Sequence, residues 1–368
     1  MGRLKSGTIY KRGNKWWVAW TYKGKRNYIA TSAVNKTEAK KILDNITVKY
    51  AEFYERGKIK FKDYAKGWLE RRKVYLKPST YDSYVDISTR HLIPFFGDKM
   101  LKGIIPSDVE FYVNEKSPKL SEKSVNKHLA ILHNILSSAT EDRIIEFNPV
   151  LKKHRLKEKY FEKLHFTPEQ MNNILENISN EYYPFFLTAW NTGLRLGELI
   201  ALRWQDVNIK KSIITVRRTI YQRGKENIET EPKSRAGFRK LYMTNTLRNV
   251  LANYRANKKV QSINDLVFES NGKVLNKSGF IKYQLKRALR KTKLPDTSFH
   301  SIRHSFVTLL RLHFPEHITR YLSGHSKGTA ITDIYTHIND DTLKDCAIKL
   351  DNLLNKKNYR KSISIPRK

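Results

Sequence analysis

Two proline-marked boundaries constrain this chain more than any other feature. Asn148-Pro149 stops one run of helical periodicity. Thr167-Pro168-Glu169-Gln170 starts the next, with Thr as N-cap, Pro at the first helical position and Gln at the third. Between them, LKKHRLKEKYFEKLHF at 151–166 reads as a basic connector, either a solvated linker or a strap that crosses a polyanion backbone between two gripping domains. A chain of 368 residues is also too long for one ordinary core. The breaks predict domains at 1–57, 58–150 and 167–356, joined by the connector and followed by a basic tail at 357–368.

Residues 8–31 read as three short strands, Thr8–Lys11, Trp16–Tyr22 and Arg26–Ala30, with turns at Arg12–Lys15 and Lys23–Lys25. A helix should start near Asn35, with Glu38 completing a capping box and Ala39, Ile42, Leu43, Ile46, Tyr50 and Phe53 on one face. Trp16, Trp17 and Trp20 are expected mainly in this small core, with one of them left to touch the sugar of a polyanion backbone. Residues 61–148 look all-helical: Phe61, Tyr64, Ala65, Trp68 and Leu69 form a stripe, Ser79 is a candidate N-cap, and Val125, Leu129, Leu132 and Leu136 mark a helix after Ser121 or Ser124. From 168 the pattern is mixed. Helices are expected near 168–179, 183–194, 197–204, 245–259, 277–292, 299–313, 315–323 and 328–337, and strands near 212–219, 226–232 and 238–243. Leu343, Ala347, Leu350 and Leu354 give a last amphipathic helix, which packs on its own domain or on a neighbouring copy. The fold class is therefore multidomain α+β: a three-stranded sheet with one helix, an all-helical domain, and a mainly helical domain with a small antiparallel sheet.

Charge narrows the partners. Lys and Arg number 71 against 35 Asp and Glu, a formal charge of +36 spread along the chain. Such a field attracts polyanions. Within residues 1–60 much of the excess lies on strands and turns, at Lys11, Arg12, Lys15, Lys23, Lys25 and Arg26, so the sheet is the better candidate for a DNA face. Lys152, Lys153 and Arg155 place more in the connector. The single cysteine, Cys346, excludes an internal disulfide and a cysteine-based zinc site and suits a reducing compartment. MGRLKSGTIY lacks the apolar core of a signal peptide, and no apolar run approaches bilayer length. The expected location is bacterial cytoplasm, beside the chromosome, with no membrane partner.

Four short segments carry the chemistry. Thr192-Gly193-Leu194-Arg195 is a glycine-broken helix end that runs into Glu198-Leu199. His300 and Arg303 sit three apart on one helical face. Ser323-Gly324-His325 places a histidine at a glycine-capped helix end, and Tyr335 follows ten residues later. Lys233, in Glu231-Pro232-Lys233-Ser234-Arg235, lies between two expected strands.

In chain order, with Lys233 between Arg195 and His300, the segments closely resemble the tyrosine recombinase, or phage integrase, family over residues 165–340, and more weakly over the whole chain. That family carries an Arg in a TGLRxxEL-like box, a Lys on a β-hairpin, an HxxR box, an LGH-like box and a Tyr nucleophile. The resemblance assigns these to Arg195, Lys233 (over Arg235), His300 with Arg303, His325 and Tyr335; Ser323 departs from the leucine of the LGH pattern. It makes residues 1–57 an arm-type DNA-binding domain and 58–150 a SAM-like core-binding domain.

What the resemblance implies is transfer of a DNA strand to Tyr335. Arg195 and Arg303 would stabilise the charge that grows on phosphate oxygens, and His325 would add a hydrogen bond. Their charge should lower a phenol pKa of about 10. His300 would serve as base or hydrogen-bond partner, Lys233 as general acid, and Glu198 would orient Arg195. No cofactor or metal is implied, the arginine pair taking that role. The partners implied are double-stranded DNA at core and arm sites and three further copies in a tetramer on DNA, with an excisionase and a DNA-bending host protein as further candidates. A chromosome-dimer resolvase of the same family, a type IB topoisomerase, a non-catalytic regulator and an RNA-binding protein are the competing readings. The sheet at 1–57 speaks against the first two, and the complete set of boxes against the last two.

Overall fold

The computed structural model describes residues 5–22, 25–56, 58–159, 164–232, 235–258, 260–276, 279–324 and 338–355. The chain divides into two compact units, Met1–Tyr160 and Phe161–Lys368.

The first unit opens with an antiparallel sheet of β1 (Lys5–Arg12), β2 (Lys15–Tyr22) and β3 (Lys25–Ala30), β2 central. Alternation puts Ile9, Trp16, Val18 and Trp20 on the face covered by α1 (Lys36–Arg56), against Ala39 and Leu43. Asn35 caps that helix by accepting from the Glu38 N–H at 2.9 Å. The Glu38 carboxylate reaches one residue further back than a capping box requires, to the Val34 N–H at 2.9 Å. Trp17 does not join the core: its register partners are Tyr10 and Ala30, on the uncovered face.

Helices α2 (Phe61–Arg72), α3 (Pro78–Ile87), α4 (Ile93–Phe96), α5 (Pro106–Lys116) and α6 (Glu122–Glu141) build a separate core. The whole Phe61–Leu69 stripe is buried. Trp68 Nε1 donates to Ser138 Oγ at 2.9 Å, and the Tyr64 hydroxyl to Asp142 at 2.6 Å. Helix α3 starts on Pro78 with Lys77 as N-cap, two residues before the expected Ser79, because proline itself is suited to the first helical position. Ser121 caps α6. Residues 151–159 lie with this unit. Asn126 brackets Leu156 with two 2.9 Å hydrogen bonds, and His154 is buried.

The second unit contains α7 (Pro168–Glu176), α8 (Tyr183–Thr192), α9 (Leu196–Ile200), α10 (Asn245–Ala256), α11 (Phe280–Lys291), α12 (His300–His313), α13 (Glu316–Ser323) and α14 (Asp340–Asn355). Strands β4 (Val207–Asn208), β5 (Ile213–Val216) and β8 (Arg239–Tyr242) form one antiparallel sheet; β6 (Thr219–Arg223) pairs with β7 (Glu226–Thr230), and β9 (Glu269–Ser270) with β10 (Lys273–Val274). The single strand expected at 212–219 is therefore two. Arg217 and Arg218 break it by turning towards buried Asp206, at 3.6 and 2.9 Å, which frees the chain to start the β6–β7 hairpin. The capping box at Thr167 forms in both directions. Helix α14 packs on its own unit: Leu343, Cys346, Leu350, Leu353 and Leu354 enter the main core, and Asn172 donates to the Leu354 carbonyl at 3.0 Å. The helix expected at 328–337 lies outside the described residues.

Candidate active site

Helix α8 is buried along its length through Phe185, Phe186 and Trp190, so its last turn sits fixed in the core. Gly193 ends it at φ +58, and a Cβ there would fall 2.2 Å from the Phe306 ring. Glycine is required by backbone and space alike. The chain leaves this turn and begins α9 with Arg195 as N-cap.

Arg195 and Glu198 then lock together. The Arg195 N–H donates to Glu198 Oε2 at 3.0 Å, and Arg195 Nη1 to Oε1 at 2.8 Å. Arg195 Nη2 donates to the Gly324 carbonyl at 2.9 Å. About a third of the Arg195 side chain is exposed (34%), whereas Glu198 is buried at 2%. Glu198 therefore cannot meet a ligand directly, and Arg195 can.

Arg303 forms the floor. It projects from α12, almost fully buried, and its Nη1 donates to the Gly193 carbonyl at 2.6 Å. Its Nη2 donates to the Ser323 carbonyl. Both acceptors lie at helix C-termini, where unpaired carbonyls carry partial negative charge that suits a cation. One turn earlier, His300 is exposed at the start of α12, its ring edge-on to His304 at 4.5 Å. It borders a pocket with Leu196, the residue after Arg195.

A third guanidinium belongs to the cluster and was not anticipated. Arg239, at the start of β8, donates to Glu198 Oε2 at 3.2 Å, to the Leu322 carbonyl at 3.1 Å and to the Gly237 carbonyl at 3.1 Å. It belongs to no motif of the resemblance. The available signal was alternation: Arg239 and Leu241 share the buried face of the strand, and an arginine at an apolar position needs a buried acid.

Two guanidiniums thus bind one carboxylate and a third, Arg303, lies within its electrostatic reach, a local excess of two positive charges among the described residues. Burial pulls Arg303 down to about 9, with Arg195 and Arg239 repelling it further and Glu198 opposing the shift, so it stays charged at neutral pH. Burial works against ionised Glu198, but Arg239 and the donors of Arg195 outweigh it, and its carboxyl titrates below the usual range. The outcome is a rigid, cationic, partly open site suited to an anion with several oxygens.

The remaining expected site residues divide. Lys233, His325 and Tyr335 lie outside the described residues, as does Lys23. Arg235 begins a short turn that ends at Gly237, ahead of β8. On the sheet, Arg12, Lys15 and Arg26 share the uncovered face with Tyr10, Trp17 and Tyr28. Lys11 pairs with Trp16 and belongs to the opposite parity. Lys25 pairs with Tyr22 at the strand end. In the connector Lys152 is exposed, Lys153 is 2.6 Å from Glu110, and Arg155 is 3.6 Å from Glu158.

Known proteins match the sequence and the fold. The phage integrase family matches residues 165–342, and the phage integrase N-terminal SAM-like domain matches 60–135. The chain belongs to the phage integrase family of tyrosine recombinases. The ICEBs1 integrase of Bacillus subtilis is 25% identical over 301 residues, 78% of this chain and 81% of that protein. Among solved structures, the Tn1549 transposon integrase in complex with a circular intermediate DNA superposes at TM-score 0.64 with 22% identity, over 78% of this chain and 98% of that one. A lambda integrase dimer bound to a core site superposes at 0.60 with 14% identity, over 98% and 97%. At these identities the superpositions speak for the fold, including the N-terminal sheet. No helix among the described residues is long and apolar enough to cross a membrane.

Proposed function

We propose that this protein is the integrase of a mobile genetic element, a phage, genomic island or conjugative transposon, which cuts and rejoins DNA through a 3′-phosphotyrosine. The carrying observation is the Arg195–Glu198–Arg303 cluster built on the carbonyls of Gly193, Ser323 and Gly324, in a chain of the tyrosine recombinase family.

The phenol oxygen of Tyr335 attacks the scissile phosphorus and its proton leaves to a base, a role suited to His300. A P–O bond forms to tyrosine while the bond to the 5′ oxygen breaks. Lys233 protonates that oxygen as it leaves. Arg195 faces the non-bridging oxygens from the open side of the cluster, and Arg303 supports them from below, both held before DNA arrives. Preorganised donors of this kind stabilise the transition state without reorganising during reaction. His325, next to the Gly324 carbonyl that holds Arg195, adds a donor. The covalent link conserves the phosphodiester energy, so a 5′ hydroxyl from a second duplex reseals the strand by the reverse reaction. Four copies would hold two duplexes. The catalytic and helical domains would bind core sites, and the face of Arg12, Lys15 and Arg26 would bind arm sites. An excisionase and a DNA-bending host protein would set direction.

The test is a supercoiled plasmid that carries two copies of the element's joined ends. An integrase yields two recombinant circles, in amounts that depend on those ends. Relaxation of plasmid without recombinants would assign a topoisomerase, and tight binding with neither product a regulator.

A further inference from the structure

Arg195 is held in place by more than its neighbour Glu198, and both of its anchors lead to the same side chain. Glu198 gives Oε1 to Arg195 and Oε2 to Arg239. The turn that ends α13 gives its Gly324 carbonyl to Arg195 and its Leu322 carbonyl to Arg239. Gly324 sits at φ +62 directly against the Arg239 guanidinium, where a Cβ would fall 2.6 Å from Nη1 and 2.9 Å from Cζ. Arg239 itself is sealed, with 1% of its side chain exposed, so it cannot touch DNA. Its third bond, to the Gly237 carbonyl, fixes its own strand end.

We propose that Arg239 is a positioning residue for the strand-transfer reaction, orienting Arg195 towards the phosphate through Glu198 on one side and the Leu322–Gly324 turn on the other. Removing the fork of Arg239 leaves Glu198 shared by fewer donors and the turn carbonyl unanchored, so Arg195 loses both the angle of its carboxylate partner and the height of its carbonyl acceptor. Misplacement of a reacting or stabilising group by about 1 Å costs on the order of 100-fold in rate. Lysine at this position retains the charge opposite Glu198 but has no planar fork with which to hold Leu322 and Gly237 together.

This rests on the proposed function, and the experiment separates the two. The rate of covalent adduct formation is measured on a nicked core site for the wild type and Arg239→Lys, with DNA affinity and melting temperature alongside. A second substrate carries a methylphosphonate at the scissile link, which removes one non-bridging charge and with it most of the demand on Arg195. Arg239→Lys is expected to bind DNA and melt as the wild type does, to react about 100-fold slower on phosphate, and to come within a few-fold of the wild type on methylphosphonate. Should Arg239→Lys melt early, the neutral Arg239→Gln, which leaves Glu198 still paired with Arg195, should show the same dependence on substrate. An equal loss on both substrates would make Arg239 merely structural and overturn the proposal. So would an unimpaired Arg239→Lys beside an active wild type. Absence of adduct from the wild type on either substrate would overturn the proposed function itself, and the positioning role with it.

Discussion

The N-terminal sheet and the catalytic unit both deploy arginine, in opposite ways. On the sheet, Arg12, Lys15 and Arg26 stand exposed on an uncovered face among Tyr10, Trp17 and Tyr28. In the catalytic unit, Arg239 and Arg303 are almost fully buried and Arg195 only partly exposed, two of them paired with one acid and the third held by helix-end carbonyls. Exposed cations give up little hydration and gain affinity by releasing counterions, which makes them salt-dependent and individually dispensable. Buried cations cost desolvation, are screened little, and cannot be removed singly without orphaning a partner. On the proposed function, one region would find DNA and the other would hold a phosphate in one geometry.

Four variants can break or sharpen this contrast. The largest effect is expected at Arg303→Ala, which removes a preorganised donor and should lower the rate of adduct formation by about 1,000-fold or more, while core-site affinity in a gel shift falls only a few-fold. An equal loss in both would mean that Arg303 serves binding alone. Next comes Glu198→Gln, which leaves Arg239 and Arg195 facing each other without their counter-charge and should lower unfolding stability by about 3–5 kcal/mol in a urea titration at pH 7. Because the Glu198 carboxyl titrates below its ordinary range in the folded protein, its contribution is present above that range and lost as pH falls through the depressed value. The gap between wild type and Glu198→Gln should therefore close in acid and stay constant from pH 6 to 8; a gap that widens in acid would contradict the pairing. Gly193→Ala forces a left-handed turn on a residue whose Cβ meets Phe306, and should cost about 1–3 kcal/mol by the same titration. The smallest effect belongs to the sheet. Arg12→Ala, Lys15→Ala and Arg26→Ala together should reduce the salt dependence of arm-site binding by a slope of about 3 and leave core-site cleavage unchanged. Slower cleavage in that triple variant would dissolve the division of labour.

The nearness of Arg195, Glu198 and Arg303 was legible through the boxes of the family resemblance, whose spacing is local: a glycine break before an N-cap, an acid three residues on, a histidine and arginine on one helical face. The helix starts at Asn35, Ser121 and Thr167 were legible for the same reason, since a cap is a local event. What escaped depends on partners distant in sequence. Arg239 meets Glu198 and Leu322 from a strand between them, and nothing near Arg239 names either partner. Arg217 and Arg218 looked like strand residues until buried Asp206 drew them out. Which of the three tryptophans stays outside the core was open in the sequence; strand register decides for Trp17, whose parity places it opposite Trp16 and Trp20. The connector read as one basic stretch, yet Asn126 and Glu110, contributed by α6 and α5, hold its first half.

The most direct test of the account is the chemical identity of the link to DNA. The protein is incubated with a nicked substrate from the joined ends of its element, the trapped complex is digested with trypsin and nuclease, and the modified peptide is sequenced by mass spectrometry. The account predicts a nucleotide 3′-phosphate on Tyr335, and no adduct from Tyr335→Phe. A nucleotide on any other side chain, or an adduct that persists in Tyr335→Phe, would contradict it.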